Sequence, residues 1–178
     1  MTIRAFSASL PMALLRARET AMCLFRPMLS ENDLTEQQWR VLRALDGEPA
    51  QIEAGELAEK TFLLAPSLSR IMANLEERAL IERSTHQSDH RRSLISISAT
   101  GSERVAAIAP LSEQLYGVIE TEFGYDRLQA LLLELRDLAD LESSIRASAA
   151  GARGNSEAAS TDVTQSRKNR NQKHNSTQ

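Results

Sequence analysis

Cysteine, histidine and aromatic residues are scarce in this chain of 178 residues, which has one cysteine, three histidines and 4% aromatic residues. The single cysteine, Cys23, excludes an intrachain disulfide and a cysteine-based zinc finger, and it favours a cytoplasmic location, where thiols stay reduced. Because aromatic side chains are so few, the core must be aliphatic. That composition is typical of a helical protein and not of a β-sandwich.

Long apolar runs are also missing. The longest stretch without a charged residue covers positions 5–15, whereas a membrane-spanning helix needs roughly 20 apolar residues. Arg16 and Arg18 follow this stretch closely, and no cleavage site with small residues appears. We therefore expect neither a membrane span nor a secretory signal.

The sequence lacks the residue patterns of common enzymes as well. It contains no Ser/His/Asp order, no glycine-rich phosphate loop and no paired-carboxylate motif, so we expect no catalytic residues, no cofactor and no enzymatic activity. His86 and His90 are four positions apart, but no third ligand lies near them in the sequence. We therefore expect no metal site.

Charge and composition separate the end of the chain from the rest. The net charge is −3 overall, yet residues 151–178 hold five Lys and Arg against two Asp and Glu. From residue 147 onward the chain has one large aliphatic residue, Val163, which is too little apolar surface to offset the entropy lost on ordering. We predict a folded domain over residues 1–146 and a disordered basic tail over 147–178.

Apolar residues recur at helical spacing in the first half of the chain. They predict a helix over residues 10–30 and a second helix that starts where Thr35 and Gln38 form a capping box. A short helix over 54–61 follows, and Pro66 suits the first turn of a further helix. Two such helices joined by a short turn are typical of a helix-turn-helix.

After this motif the apolar spacing changes from that of a helix to the alternation of a strand. Candidate strands over 80–86 and 93–98 are joined by a polar loop, 87–92, which predicts a β-wing. The predicted fold is therefore mainly α with a small β-wing, and its winged helix-turn-helix covers about residues 34–100.

Further helices flank this winged helix, one over residues 10–30 and two over 99–146. Ser98 can cap the first of the latter two, which must bend near Pro110. The last helix carries so many leucines that packing on one side would not cover them, so we expect it to meet a partner helix.

Two segments carry side chains suited to DNA. The second helix of the motif presents short hydroxyls, an arginine and an asparagine, which can pair with base edges and phosphates. Its candidate DNA-contacting residues are Pro66, Ser67, Ser69, Arg70 and Asn74. The wing adds a second set, Asp89, His90, Arg91 and Arg92. Arg91 and Arg92 can enter a minor groove, where Asp89 can hold one of them in place. Either set alone fits an ordinary solvated surface, whereas together they favour double-stranded DNA as a partner.

A possible ligand site involves the first two helices. Arg16 and Arg18 interrupt an apolar helix, and Trp39 is the large flat side chain nearest to them in sequence. A cation beside an aromatic surface is what a small aromatic carboxylate needs. Surface arginines that cover apolar neighbours with their stems explain the same residues equally well. Cys23 fits a packed or interface position better than a redox sensor, which usually needs a second thiol.

These elements and several segments resemble the MarR family of winged-helix transcriptional regulators. The resemblance covers about residues 10–145 and rests on 34–45 (LTEQQWRVLRAL), 55–61 (GELAEKT), 67–83 (SLSRIMANLEERALIER), 88–98 (SDHRRSLISIS) and Gly101. Within the family, residues 13–29 (ALLRARETAMCLFRPML), followed by LTEQQWR, are similar to regulators of homoprotocatechuate degradation operons.

The resemblance implies a homodimer, formed by the first, fifth and sixth helices, that binds an inverted-repeat operator. It also implies repression of genes for 4-hydroxyphenylacetate or homoprotocatechuate breakdown, with an aromatic acid as the inducer that releases the protein from DNA. Carried over to this chain, Asp89 and Arg91 match the wing pair, and Ser67, Ser69 and Arg70 match the groove-facing part of the recognition helix. Arg18 and Trp39 fall in the segments that wall the ligand cavity, with Arg16 as the reserve candidate.

The chain departs from the family pattern at two positions. Ala79 stands where a glycine is usual, and His90 stands where an arginine is common at the wing tip. Two other functions fit the same fold: a redox-responsive regulator that uses Cys23, and a winged helix that serves for protein contacts alone.

Overall fold

The computed structural model describes residues 5–86, 89–142 and 144–145, without the side chains of Ser7 and of residues 85–92. The predicted tail, 147–178, lies outside the described residues. The elements are α1 (Leu10–Glu31), α2 (Glu36–Asp46), β1 (Ile52–Glu53), α3 (Ala54–Thr61), α4 (Ala65–Glu77), β2 (Ile81–His86), β3 (Asp89–Ile97), α5 (Ala99–Phe123) and α6 (Tyr125–Asp140). The chain divides into two compact units between Glu122 and Phe123.

The start of α2 has the capping box that the sequence predicts. The Thr35 hydroxyl accepts a hydrogen bond from the Gln38 backbone N–H at 3.2 Å, and the Gln38 side-chain carbonyl accepts one from the Thr35 backbone N–H at 2.8 Å. These reciprocal bonds satisfy two N–H groups that a helix start leaves without an intrahelical partner. The helix therefore begins at a defined residue, which fixes where each α2 side chain points.

The sheet has three antiparallel strands in the order β1-β3-β2. β3 pairs with β2 from Ile81 opposite Ile97 to His86 opposite Asp89, and with β1 through Ile52 opposite Ile95. The sequence does not predict β1, because two residues are too few to show an alternating pattern. This third strand attaches the wing to the segment that leads into α3.

The wing hairpin is tighter than the sequence predicts. The sequence predicts a loop over residues 87–92, but the backbone of 89–92 belongs to β3, and only positions 87 and 88 lie between the two strands. The prediction is wrong because it requires alternating apolar residues. Apolar residues are needed only where a strand covers the core, whereas backbone pairing alone can extend a hairpin further.

The core is aliphatic, as the composition predicts, and it holds the winged helix together. Its most deeply buried members come from α1 to α5 and the sheet: Leu29, Val41, Leu42, Leu45, Leu57, Leu68, Leu75, Ile95 and Ile108. The buried hydroxyl of Thr61 donates to the Leu57 carbonyl oxygen at 2.6 Å. In α6, all of whose residues the structure describes, none is buried within the single chain, and Leu131, Leu132 and Leu133 are exposed by 40%, 39% and 57%.

The junction between α4, β3 and α5 is packed without spare room. The Ser98 hydroxyl donates to the Ala79 carbonyl oxygen at 2.6 Å and accepts from the Gly101 backbone N–H at 3.0 Å, which confirms Ser98 as the predicted cap of α5. A Cβ at Gly101 would lie 2.1 Å from the Leu80 carbonyl oxygen. Only glycine fits at that position, because backbone atoms cannot move aside. α5 then continues through Pro110 to Phe123.

Ala79 lies between α4 and β2 with φ of +55°, in the left-handed region that costs a residue with a Cβ roughly 1–2 kcal/mol. We expect Ala79→Gly to raise the free energy of unfolding by about 0.5–1 kcal/mol, since the greater freedom of glycine in the unfolded chain offsets part of the relieved strain. Urea denaturation measures this change. The control Ala73→Gly, inside α4, should lower the same quantity by about 0.5–1 kcal/mol; a similar loss at both positions would show that Ala79 is not strained.

Candidate functional site

Helix α4 separates its predicted DNA-contacting residues from its buried side. Leu68, Met72 and Leu75 are buried. The residues predicted to contact DNA lie away from this buried side. Pro66, Ser69, Arg70 and Asn74 are exposed, and Ser67 is half-buried. Four of the five predicted α4 residues therefore share a solvent-accessible surface. The helix begins at Ala65, one residue earlier than predicted, so Pro66 lies in its first turn.

Asn74 also contacts the rest of the motif. Its side-chain oxygen accepts a hydrogen bond from the Gln38 amide nitrogen at 2.6 Å. The same Gln38 side chain closes the capping box of α2, so one residue joins the start of α2 to the outer side of α4. Residues 36 positions apart show no local pattern, and sequence reasoning did not find this contact.

The wing is joined to α4 through its first strand. Arg83 of β2 pairs with Glu76 of α4 at 3.3 Å. The backbone of Asp89, His90, Arg91 and Arg92 lies in β3, but their side chains are outside the described part of the structure. Their predicted role in a minor groove stays a prediction.

A cavity of about 390 Å³ lies among α1, α2 and α5. Its wall contains Arg18 and Trp39, the two residues that the sequence predicts to share a ligand site. The other lining residues are Met22, Glu36, Arg40, Arg43, Ala109, Ser112, Glu113 and Tyr116. Arg16 lies elsewhere, in a separate hollow of about 420 Å³ with Phe6 and Met12. The structure therefore brings Trp39 together with Arg18 and not with Arg16.

Glu36 is the carboxylate that pairs with two of the cavity arginines, Arg18 and Arg40. It pairs with Arg18, with Arg40 at 3.1 Å and with Arg26 at 3.4 Å. Glu19 takes part in the same network, since it lies 2.7 Å from both Arg18 and Arg26. The hydrogen bond from the Arg26 guanidinium, with further attraction from Arg18, holds the pKa of Glu19 below its usual range. Glu19 therefore stays charged at neutral pH.

Arg43 provides a further cation next to the aromatic surface. Its guanidinium lies 5.9 Å from the centre of the Trp39 ring, within cation–π range. Sequence reasoning missed Glu36, Arg40 and Arg43 as members of this wall. The signal was present, because positions 36, 40 and 43 recur on the same side of a helix as Trp39.

The remaining chemistry-bearing features do not form a site in the described residues. Cys23 is exposed, and its thiol donates to the Thr20 carbonyl oxygen at 2.9 Å. Within the described ranges, no three His, Cys, Asp or Glu side chains are grouped closely enough to bind a metal ion. In the same ranges, no helix combines the length and the apolar character that a membrane crossing requires.

Comparison with known proteins points to one family. The family model described as MarR family matches residues 32–92. The chain is 35% identical over 136 residues to the homoprotocatechuate degradative operon repressor of Escherichia coli, which aligns 76% of this chain with 91% of that protein. It is 32% identical over 138 residues to the HTH-type transcriptional regulator FarR of Neisseria gonorrhoeae, with 78% of this chain and 94% of that protein aligned.

A solved structure extends the similarity to the fold. The crystal structure of NadR in complex with 4-hydroxyphenylacetate superimposes with a TM-score of 0.69 at 32% sequence identity. The match covers 80% of this chain and 100% of that one. The winged-helix fold predicted from the sequence is therefore confirmed.

Proposed function

We propose that this chain, which belongs to the MarR family of transcriptional regulators, is a dimeric repressor that a small aromatic carboxylate releases from an inverted-repeat operator. Its relatives are regulators and not enzymes. The observation that carries the proposal is the cavity wall that combines Arg18, Arg40 and Arg43 with Trp39. We further propose that the controlled genes serve aromatic-acid catabolism.

The DNA interface consists of α4 and the wing. The exposed hydroxyl of Ser69 and guanidinium of Arg70 enter the major groove, where such groups pair with base edges and phosphates. Arg91 enters the adjacent minor groove, whose negative potential attracts cations. In this arrangement Arg70 and the wing arginines supply the positive charge with which a chain of net charge −3 meets a polyanion.

The cavity suits an aromatic acid in size and chemistry. Its volume of about 390 Å³ falls within the ~300–1,000 Å³ that is usual for small-molecule sites. The arginines offer charge-assisted hydrogen bonds to a carboxylate, and Trp39 offers a flat surface to a ring. The similarity to the homoprotocatechuate repressor and to the complex with 4-hydroxyphenylacetate supports 4-hydroxyphenylacetate or homoprotocatechuate as the ligand.

Dimer formation is supported by apolar surface that the single chain leaves uncovered. Besides the α6 leucines, Leu10, Leu14 and Leu15 of α1 are exposed by 48%, 38% and 48%. A second copy that covers these helices places two recognition helices on one side of the DNA, about one turn or roughly 34 Å apart.

The cavity can couple ligand binding to this spacing because α1 and α5 contribute to its wall together with α2 of the winged helix. A ligand carboxylate at Arg18 or Arg40 competes with Glu36, whose ion pairs join α1 to α2. Occupancy then favours a dimer with wrongly spaced recognition helices. Because a ligand shifts an equilibrium only through its differential affinity, we expect a coupling of about 1–3 kcal/mol.

The wing is tested by Arg91→Ala. If Arg91 enters the minor groove, its removal should weaken specific binding by about 1–3 kcal/mol and lower the slope of log affinity against log salt by about one. Fluorescence anisotropy over a salt series measures both quantities, with Arg16→Ala as the arginine control outside the interface. Unchanged affinity in a folded Arg91→Ala variant would remove the wing from the interface.

The ligand site is tested by comparing Arg18→Ala with Arg16→Ala, two residues apart on α1. Calorimetric titration with 4-hydroxyphenylacetate should show about tenfold weaker binding for Arg18→Ala, because the carboxylate loses a charged hydrogen-bond partner. Arg16→Ala, whose side chain lines the other hollow, should bind like the wild type. Equal affinities in all three proteins, or a loss confined to Arg16→Ala, would exclude an Arg18-anchored site.

A further inference from the structure

The contact between Gln38 and Asn74 has a fixed direction. A backbone N–H can only donate, so the Gln38 atom 2.8 Å from the Thr35 nitrogen is the carbonyl oxygen. The other end of that amide is therefore the NH₂ group, which can only donate and lies 2.6 Å from Asn74. The Asn74 atom that receives it must be Oδ1. The capping box of α2 thus determines the amide orientation of a residue on α4.

The consequence is that Asn74 turns its Nδ2 group away from Gln38. Asn74 is exposed, and Nδ2 has no hydrogen-bond partner among the residues that the structure describes. A free asparagine amide offers both an oxygen and a nitrogen, and this pair is what reads an adenine edge through two hydrogen bonds. Here Oδ1 is turned toward Gln38 of α2, so Oδ1 and Nδ2 cannot face one base edge together and that bidentate contact is lost.

We propose that Asn74 acts toward DNA as a hydrogen-bond donor only and that Gln38 is the positioning residue that enforces this. The inference rests on the proposed function, because it needs the exposed side of α4 to face DNA. Asn74 lies one helical turn beyond Arg70 on that side. Its partner on the DNA is a hydrogen-bond acceptor: a phosphate oxygen, or an acceptor atom on a base edge such as purine N7.

The orientation is held because its reversal leaves two donors facing each other. If the Asn74 amide flipped, Nδ2 would meet the Gln38 NH₂ group and one hydrogen bond would be lost without replacement. Gln38 cannot flip in compensation, since its oxygen would then leave the Thr35 N–H at the start of α2.

The substitution Gln38→Glu should reverse the direction of the hydrogen bond between residues 38 and 74. Glutamate serves the capping box as well as glutamine does, so the start of α2 should be kept. Its second carboxylate oxygen can only accept, however, so Asn74 must turn Nδ2 toward it and present Oδ1 to the DNA. Thermal unfolding of each variant, compared with that of the wild type, checks that the fold is retained.

The test is a double-mutant cycle on a duplex selected from a random-sequence library by the wild-type protein. With Gln38 present, Asn74→Ala should weaken binding about tenfold. In the Gln38→Glu background, the same truncation should cost nothing or should strengthen binding, because it removes an acceptor that faces DNA acceptors. The added charge of Gln38→Glu is the same with and without Asn74→Ala, so comparing the two losses isolates the amide orientation.

Modified duplexes distinguish the two sources of the acceptor. Methylphosphonate substitution should abolish the effect of Asn74→Ala at one position if the partner is a phosphate, and 7-deazapurine substitution should do so if it is a purine N7. An equal loss from Asn74→Ala in both backgrounds, or no loss with Gln38 present, overturns this inference while DNA binding by the wild type stands. If the wild type selects no duplex, the proposed function falls with it.

Discussion

The first turn of α2 is the part of the molecule on which both proposed sites depend. Thr35 and Gln38 fix where the helix begins, and every side chain that follows takes its direction from that point. Glu36 then meets arginines of α1, Trp39 and Arg40 line the cavity, and Gln38 holds Asn74 on the recognition helix. The proposed ligand site and the proposed DNA interface therefore share the first turn of α2.

The proposed response to a ligand depends on the ion pairs around Glu36. In the single chain, Arg18 and Arg40 already have a carboxylate partner, so an incoming acid exchanges one partner for another and does not fill an empty charge site. Such an exchange gains less from the charges than binding to unpaired arginines would. Apolar contact with Trp39 and the rest of the wall must then provide most of the affinity, which favours an aromatic acid over a small inorganic anion.

Local signals in the sequence were sufficient for the helices. The capping box at Thr35 and Gln38, the short α3 and the serine cap of α5 each depend on residues within a short stretch of chain, and the structure has all three. The two-residue β1 and the early start of β3 escaped prediction because backbone pairing without alternating apolar residues leaves no periodicity in the sequence. The Gln38–Asn74 contact and the arginines around Glu36 depend on how the helices pack, which periodicity alone does not specify.

The most direct test of the account is a hydroxyl-radical footprint of the wild-type protein on its selected operator, recorded with and without 4-hydroxyphenylacetate. We expect two protected patches on an inverted repeat, centred about one helical turn apart. Both should disappear together when the acid is added at a concentration that saturates the protein in calorimetry. A single protected patch would contradict the dimer, and a footprint that persists at saturation would contradict release by the ligand.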